Sequence, residues 1–95
     1  MRTVLFGDFE WEAAKAEANA AKHGVRFEEA ASAFDDVHAL DAPDRFVNGR
    51  FVLIGRSARD RVLFVVHAVR SHDRIRIISA RKASPAQRKA YESAR

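Results

Sequence analysis

The fold is decided by residues 61–81, which read RVLFVVHAVRSHDRIRIISAR. Two apolar runs stand in this stretch, separated by a short polar break at residues 71–73. The first run is apolar at consecutive positions, which is typical of a central strand covered on both faces. The second alternates isoleucine with arginine, so one face would be buried while the other presents guanidinium groups. Because the break is so short, the two strands must pair antiparallel.

Further strands are predicted on the N-terminal side of this hairpin. Residues 50–56 are mostly apolar and follow turn signals at Pro43-Asp44 and Asn48-Gly49, which favour a hairpin. A weak strand is indicated over residues 37–41, and a short first strand within residues 3–9. The sequence therefore predicts an antiparallel sheet of about four strands.

Two helices are predicted in the N-terminal half and one at the C-terminus. Residues 11–22 are dense in good helix formers, and Gly24 can supply the left-handed residue that ends a helix. Residues 84–87 read Ser-Pro-Ala-Gln, a capping box with proline at the first helical position, so a helix should run from Pro85 to the end. The other helix is short and is indicated by apolar residues at helical spacing, namely Phe27, Ala30, Ala31 and Phe34. Together these elements predict a single α+β domain over residues 1–95.

The composition excludes several classes of protein. The chain has no cysteine, so neither a disulfide framework nor a thiolate zinc site is possible. No apolar run approaches the ~20 residues that cross a bilayer, and the start of the chain turns acidic at Asp8 before the apolar region of a signal peptide could develop. We therefore expect a cytoplasmic protein that does not associate with membranes.

The charge is distributed unevenly along the chain. Residues 1–48 carry five Lys and Arg against ten Asp and Glu, whereas residues 49–95 carry twelve against three. A strongly basic half is the electrostatic footprint of nucleic-acid binding. The ordinary alternative is a set of solvated arginines on exposed strand faces.

The sequence offers no familiar metal or phosphate motif. Its four glycines stand apart, and no histidine or carboxylate pair has ligand spacing, so we expect neither a metal nor a cofactor. What remains is a collection of cations with one histidine, His67, near the end of an apolar strand. If Ser71 and His72 form a two-residue turn, His67 lies directly opposite Arg76, whereas a longer turn would separate them.

His67 allows two interpretations. A lone histidine in a strand is often a core residue that is hydrogen-bonded to the backbone. Beside cations, it could instead transfer protons in RNA cleavage without a metal, in which the 2′-hydroxyl attacks the adjacent phosphate. Arg81 and Lys82 end the last predicted strand, which contains Arg76, and side chains at such a strand end commonly project into an open groove.

The first predicted helix carries a polar stripe. At ~100° per residue, one face about 100° wide holds a set of polar side chains, while the rest of the helix is largely alanine. We interpret this stripe as the face left for solvent or for a functional site. Its members are Glu12, Lys15, Asn19, Lys22 and His23.

Two stretches carry a family resemblance. The first contains Phe9-Glu10-Trp11-Glu12, Lys15, Asn19, Lys22-His23-Gly24-Val25 and Phe27-Glu28-Glu29-Ala30; the second runs from Arg74 to Ala83, followed by Arg88 and Tyr91. With Arg50-Phe51 and Ile54-Gly55 between them, the chain resembles the BrnT family of bacterial type II toxins over nearly its whole length. The resemblance implies a RelE-like α+β fold, ribonuclease activity, and a BrnA-like antitoxin that binds both the toxin and promoter DNA.

The resemblance also selects site residues and leaves three functions open. The catalytic candidates are His67, Arg76, Arg81, Lys22 and His23, and the RNA-binding candidates are Arg70, Arg74, Lys82 and Lys15. The first function is an endoribonuclease toxin that is neutralised by its antitoxin and reaches promoter DNA only through it. The second is an inactive homologue that serves only as antitoxin partner and co-repressor. This hypothesis is suggested by Val69, which stands where related sequences often carry glutamate. The third is a plain RNA-binding module.

Overall fold

A computed structural model of the chain describes residues 1–70 and 73–94. Six strands form one sheet in the order β1-β2-β6-β5-β4-β3, and three α-helices accompany it. The elements are β1 (Thr3–Phe6), β2 (Phe9–Glu12), α1 (Ala13–His23), α2 (Phe27–Ser32), β3 (Leu40–Pro43), β4 (Phe51–Arg56), β5 (Val62–Val69), β6 (Ile75–Lys82) and α3 (Pro85–Ser93), with a 3₁₀ turn at Ala33–Asp35 after α2. None of the helices in the described residues is long and apolar enough to span a bilayer.

The sheet is mixed, and the prediction of about four antiparallel strands is wrong in two respects. The expected first strand is a hairpin of β1 and β2, which turns at Gly7 with a positive φ of 57°. β2 then pairs parallel with β6, placing Phe9 beside Ile75. The predicted helix took in Trp11 and Glu12, but both belong to β2 because the alternation of buried and polar residues persists to that point.

The C-terminal half of the sheet follows the sequence pattern closely. β4, β5 and β6 pair antiparallel as expected from their short connections. β3 pairs antiparallel with β4 across a loop in which Gly49 has a φ of +84°, although the strand begins three residues later than predicted, at Leu40. α3 starts with the predicted capping box of Ser84 and Gln87.

The two faces of the sheet have different surroundings. The inner face, which we define by Leu63, Val65 and Ile77, is covered by α1 and α2 and forms the hydrophobic core. The outer face carries the alternate side chains of the same strands, including Phe64 and Arg81. α3 covers only part of the outer face, mainly over β4, so the side chains of β5 and β6 there stay partly exposed.

α3 is attached to the outer face largely through Tyr91, the one residue of this helix that is buried. Its hydroxyl donates to Asp36 Oδ2 at 2.5 Å, and the same oxygen accepts from the Arg56 backbone N–H at 2.8 Å. The Arg56 guanidinium lies 5.9 Å from the centre of the Tyr91 ring. These contacts fix the position of α3 and therefore of Gln87 on its first turn.

α1 is held to β6 by one side-chain amide. Asn19 Nδ2 donates to the carbonyl oxygens of Ala80 and Val25 at 2.8 and 2.9 Å, and Asn19 Oδ1 accepts from the Ala80 N–H at 3.0 Å. β2 pairs with β6 at Ile75 and Arg76, so the amide satisfies the backbone of β6 beyond the residues that pair with β2. The expectation that the whole polar stripe of α1 faces solvent or a site is wrong for Asn19, which is 7% exposed. An amide can both donate and accept, which suits it to a strand backbone.

Candidate functional site

A carboxylate and two guanidinium groups meet on the outer face of the sheet. Because β2 runs parallel to β6, Glu10 lies in register beside Arg76, and Arg76 Nη1 donates to Glu10 Oε2 at 2.6 Å. Arg70, which follows β5, has its Nε 4.0 Å from the same oxygen. We call Glu10, Arg70 and Arg76 the Glu10 cluster.

The Glu10 cluster is partly shielded from water. The side chains of Glu10 and Arg76 are each 16% exposed, whereas that of Arg70 is 55% exposed. Partial burial strengthens the interaction of these charges with one another and with a bound anion. The cluster therefore combines a proton acceptor with cations that can reach a phosphate.

A second feature of the outer face is centred on Arg81. Phe64 and Arg81 are directly opposite each other on β5 and β6, and the guanidinium carbon lies 4.5 Å from the centre of the Phe64 ring. Arg81 Nη1 also donates to Gln87 Oε1 and to the Lys82 carbonyl, both at 3.1 Å. We call Phe64, Arg81 and Gln87 the Arg81 stack. At a strand rise of ~3.3 Å per residue, Arg81 lies about 16 Å from Arg76 along β6.

His67 lies on the inner face, away from both arginine groups. Its side chain is 4% exposed, with the Phe34 ring centre at 4.8 Å and the Phe51 ring centre at 6.0 Å. Burial lowers the pKa of His67, and the nearby Asp41 carboxylate, 3.6 Å from Nε2, only partly opposes this effect. The neutral ring is therefore favoured in the folded protein.

His67 and Arg76 are separated, which is the alternative expected for a turn longer than two residues. His67 lies opposite Ile77, and Arg76 lies opposite Ala68. The β5–β6 hairpin closes with the Arg70 N–H donating to the Arg74 carbonyl at 2.9 Å, so the connection is one residue longer than a two-residue turn. A shift of one residue turns a side chain to the other face of a sheet. The prediction depended on Ser71 and His72, which lie outside the described residues.

The remaining candidates are dispersed. Lys15 and Lys22 are exposed on α1, and His23 is half-buried at its last turn, on the side of the sheet opposite the Glu10 cluster. Lys82 is exposed at the end of β6. Arg74 Nη1 donates to the Gly7 carbonyl at 2.6 Å and so holds the β1–β2 turn. Of the nine candidates, the structure brings only Arg70 and Arg76 together in one cluster, with Arg81 farther along the same face.

Part of the basic charge is already paired inside the protein. Arg61 Nε donates to Glu29 Oε2 at 2.9 Å, and a second nitrogen of Arg61 contacts Glu29 Oε1. The hydrogen bonds from Arg61 lower the pKa of Glu29, with burial opposing them and Ser57 adding to them. Arg56 similarly pairs with Asp60 at 2.9 Å. The uneven charge of the sequence therefore overstates the positive charge that faces a ligand.

Sequence reasoning missed Glu10 as a site residue. Glu10 lies in the segment Phe9-Glu10-Trp11-Glu12, which the sequence pattern divides between a strand and a helix. The available signal was the strict alternation of aromatic and acidic residues in that segment, which is typical of a strand with one polar face. No local sequence pattern indicates that the strand containing Glu10 pairs with β6.

A small α+β domain that presents arginines on an open sheet face has the electrostatic character of small nucleic-acid-binding proteins. The family described as "Ribonuclease toxin, BrnT, of type II toxin-antitoxin system" matches residues 11–87, and the chain belongs to this family. It is thus a member of a ribonuclease toxin family, for which RNA is the target and a protein antitoxin the partner.

A solved structure supports the same assignment. The chain is similar to the crystal structure of the Brucella abortus ribonuclease toxin, BrnT, with a TM-score of 0.65 and 25% sequence identity. The similarity covers 78% of this chain and 92% of that chain. No curated protein sequence matches the chain.

Proposed function

We propose that this chain is a metal-independent endoribonuclease toxin whose cleavage centre is the Glu10 cluster. The observation that carries the proposal is the partly buried Glu10 carboxylate, with Arg76 at 2.6 Å and Arg70 at 4.0 Å, on the open face of a ribonuclease toxin fold. These groups supply a base and cations without a metal ion.

The reaction follows from the chemistry of these groups. Glu10 accepts the proton of the RNA 2′-hydroxyl, whose oxygen attacks the adjacent phosphorus while the bond from phosphorus to the 5′-oxygen breaks. Arg76 and Arg70 stabilise the negative charge that develops on the phosphoryl oxygens. The proton held by Glu10 then passes to the departing 5′-oxygen. The products are a 2′,3′-cyclic phosphate and a 5′-hydroxyl, and no other reactant is needed.

The other candidate residues receive different roles in this proposal. His67 packs the inner face, because a ring 4% exposed between Phe34 and Phe51 cannot meet a substrate without local opening. Arg81 binds RNA on the outer face. The exposed or half-buried cations elsewhere contribute to the long-range attraction of RNA rather than to proton transfer. They are Lys15, Lys22, His23 and Lys82.

We further propose that a BrnA-like, DNA-binding antitoxin neutralises the toxin by covering the outer face. A protein that blocks a cationic site must bring acidic or apolar groups to it. The toxin would then reach promoter DNA only through the antitoxin, and both proteins would act in the cytoplasm.

Variants of the Glu10 cluster test the proposal. Expressed without antitoxin, the wild-type protein should arrest growth and degrade RNA, and co-expressed antitoxin should prevent both. Glu10→Gln and Arg76→Gln should each lower the cleavage rate of the purified protein by about 10²–10³. Arg59→Gln, which removes an exposed charge at the β4–β5 turn, is the matched control and should keep the wild-type rate.

The outcomes separate the competing functions. If a folded Glu10→Gln protein cleaves RNA at the wild-type rate, the Glu10 cluster is not the cleavage centre. A wild-type protein that leaves RNA intact would instead favour the inactive homologue. Val69, which is 60% exposed beside Arg70, is the feature that favours this second candidate.

A further inference from the structure

The Arg81 stack has the geometry of a platform for an unpaired base. The guanidinium carbon of Arg81 lies over the Phe64 ring, 4.5 Å from its centre, and Arg81 Nη1 donates to Gln87 and to the Lys82 carbonyl. Arg81 and Phe64 both remain partly exposed on the outer face. Guanidinium planes and aromatic rings are the surfaces on which proteins stack splayed RNA bases.

The orientation of the Gln87 amide is fixed by its neighbours. Gln87 Oε1 accepts from the Ser84 backbone N–H at 2.9 Å and from Arg81 Nη1 at 3.1 Å. Both neighbours are donors, so the amide oxygen must face them and the NH₂ group must point away. Within the part of the chain that the structure describes, no acceptor is hydrogen-bonded to Gln87 Nε2. The Arg81 stack therefore offers hydrogen-bond donors, and no side-chain acceptor, at its edge.

We propose that the Arg81 stack is a base-recognition site that selects keto bases, uracil and guanine, in single-stranded RNA. The inference deepens the proposed function, since it assigns base selection to a site about 16 Å from Arg76 on the same face. A base stacks on the Arg81 guanidinium, and the Gln87 amide donates to O4 of uracil or O6 of guanine. Cytosine and adenine carry an amino group at that position, which would set two donors against each other.

Uracil and cytosine provide a matched pair of probes. They are nearly equal in size and stacking area but differ at position 4, where one has an acceptor and the other a donor. The experiment measures the binding of fluorescently labelled 2′-O-methyl RNA tetramers, all-uracil or all-cytosine, by anisotropy. These probes have no free 2′-hydroxyl and cannot be cleaved. The wild-type protein should bind the uracil tetramer about tenfold more tightly, because cytosine places an amino donor opposite the Gln87 amide donor.

Gln87→Glu reverses the polarity of the proposed contact without removing the capping box. A carboxylate at this position still accepts from Ser84 and Arg81, and glutamate is a common residue there. The variant presents an acceptor to the base, so its preference should change to the cytosine tetramer. Arg88→Gln, on the exposed side of α3, changes the net charge by the same amount. It should weaken both complexes equally and keep the preference for uracil.

Each outcome supports or overturns the inference. Equal wild-type affinity for the two tetramers overturns it, as does a folded Gln87→Glu protein that still prefers uracil to the same extent as Arg88→Gln. Because the probes are not cleavable, the result is independent of catalysis. A wild-type protein that prefers uracil but fails to cut RNA would support the base-recognition site and contradict the proposed ribonuclease function.

Discussion

Replacing Asn19 should destabilise the protein far more than its place in a polar helix stripe suggests. The side chain makes three hydrogen bonds of 2.8–3.0 Å to the backbone of Ala80 and Val25, and is 7% exposed. Asn19→Ala would leave three buried backbone groups unpaired. Each such group costs about 1–3 kcal/mol, and water that enters the vacated space recovers part of this. The expected loss is about 3–5 kcal/mol, a large share of the roughly 5–15 kcal/mol of a typical domain.

The assay for this prediction is urea unfolding followed by the fluorescence of Trp11, which is the only tryptophan and is 2% exposed. Glu17→Ala is the matched control on the exposed side of α1 and should change the free energy of unfolding by at most about 0.5 kcal/mol. Asn19→Asp should be at least as harmful as Asn19→Ala, because it sets a carboxylate against two carbonyl oxygens. A loss below about 1 kcal/mol for Asn19→Ala would refute the role of Asn19 in holding β6.

Two further predictions concern pH and salt. Burial lowers the pKa of His67, so below the unfolded value of about 6.5 the unfolded chain binds more protons than the folded one. The free energy of unfolding should therefore decrease as the pH is lowered through this range, by up to ~1.4 kcal/mol per pH unit. His67→Phe should make this fall shallower in urea unfolding at several pH values, and an unchanged slope would contradict the burial of a neutral histidine. The complex with the antitoxin should weaken as salt rises, measured by calorimetry, because arginines dominate the proposed contact; salt-insensitive binding would indicate an apolar interface elsewhere.

Much of the fold could be predicted because it follows from local periodicity. β5 and β6 have strongly apolar or alternating patterns, and the capping box of α3 has a defined sequence signature. The β1–β2 hairpin was missed because Trp11 and Glu12 suit the start of a helix as well as the end of a strand. The parallel contact between β2 and β6 joins residues more than 60 positions apart, and no local pattern specifies it.

The candidate site could be predicted only in part, because its assembly also depends on contacts between strands that are distant in sequence. The alternation in β6 correctly placed Arg76 on a polar face, because that property depends on one strand alone. Which residue of β6 lies opposite His67 depends on the length of the turn, and one extra residue places Ile77 there in place of Arg76. Glu10 joins the arginines only through the pairing of distant strands.

The central claim, that the Glu10 cluster cleaves RNA without a metal, is tested most directly by the ends of the products. Purified protein is incubated with a synthetic single-stranded RNA in excess EDTA, and the fragments are analysed by mass spectrometry. The account predicts cleavage to 2′,3′-cyclic phosphate and 5′-hydroxyl ends, with a rate about 10²–10³ lower for Glu10→Gln. A strict requirement for a divalent cation, or fragments with 3′-hydroxyl and 5′-phosphate ends, would contradict it.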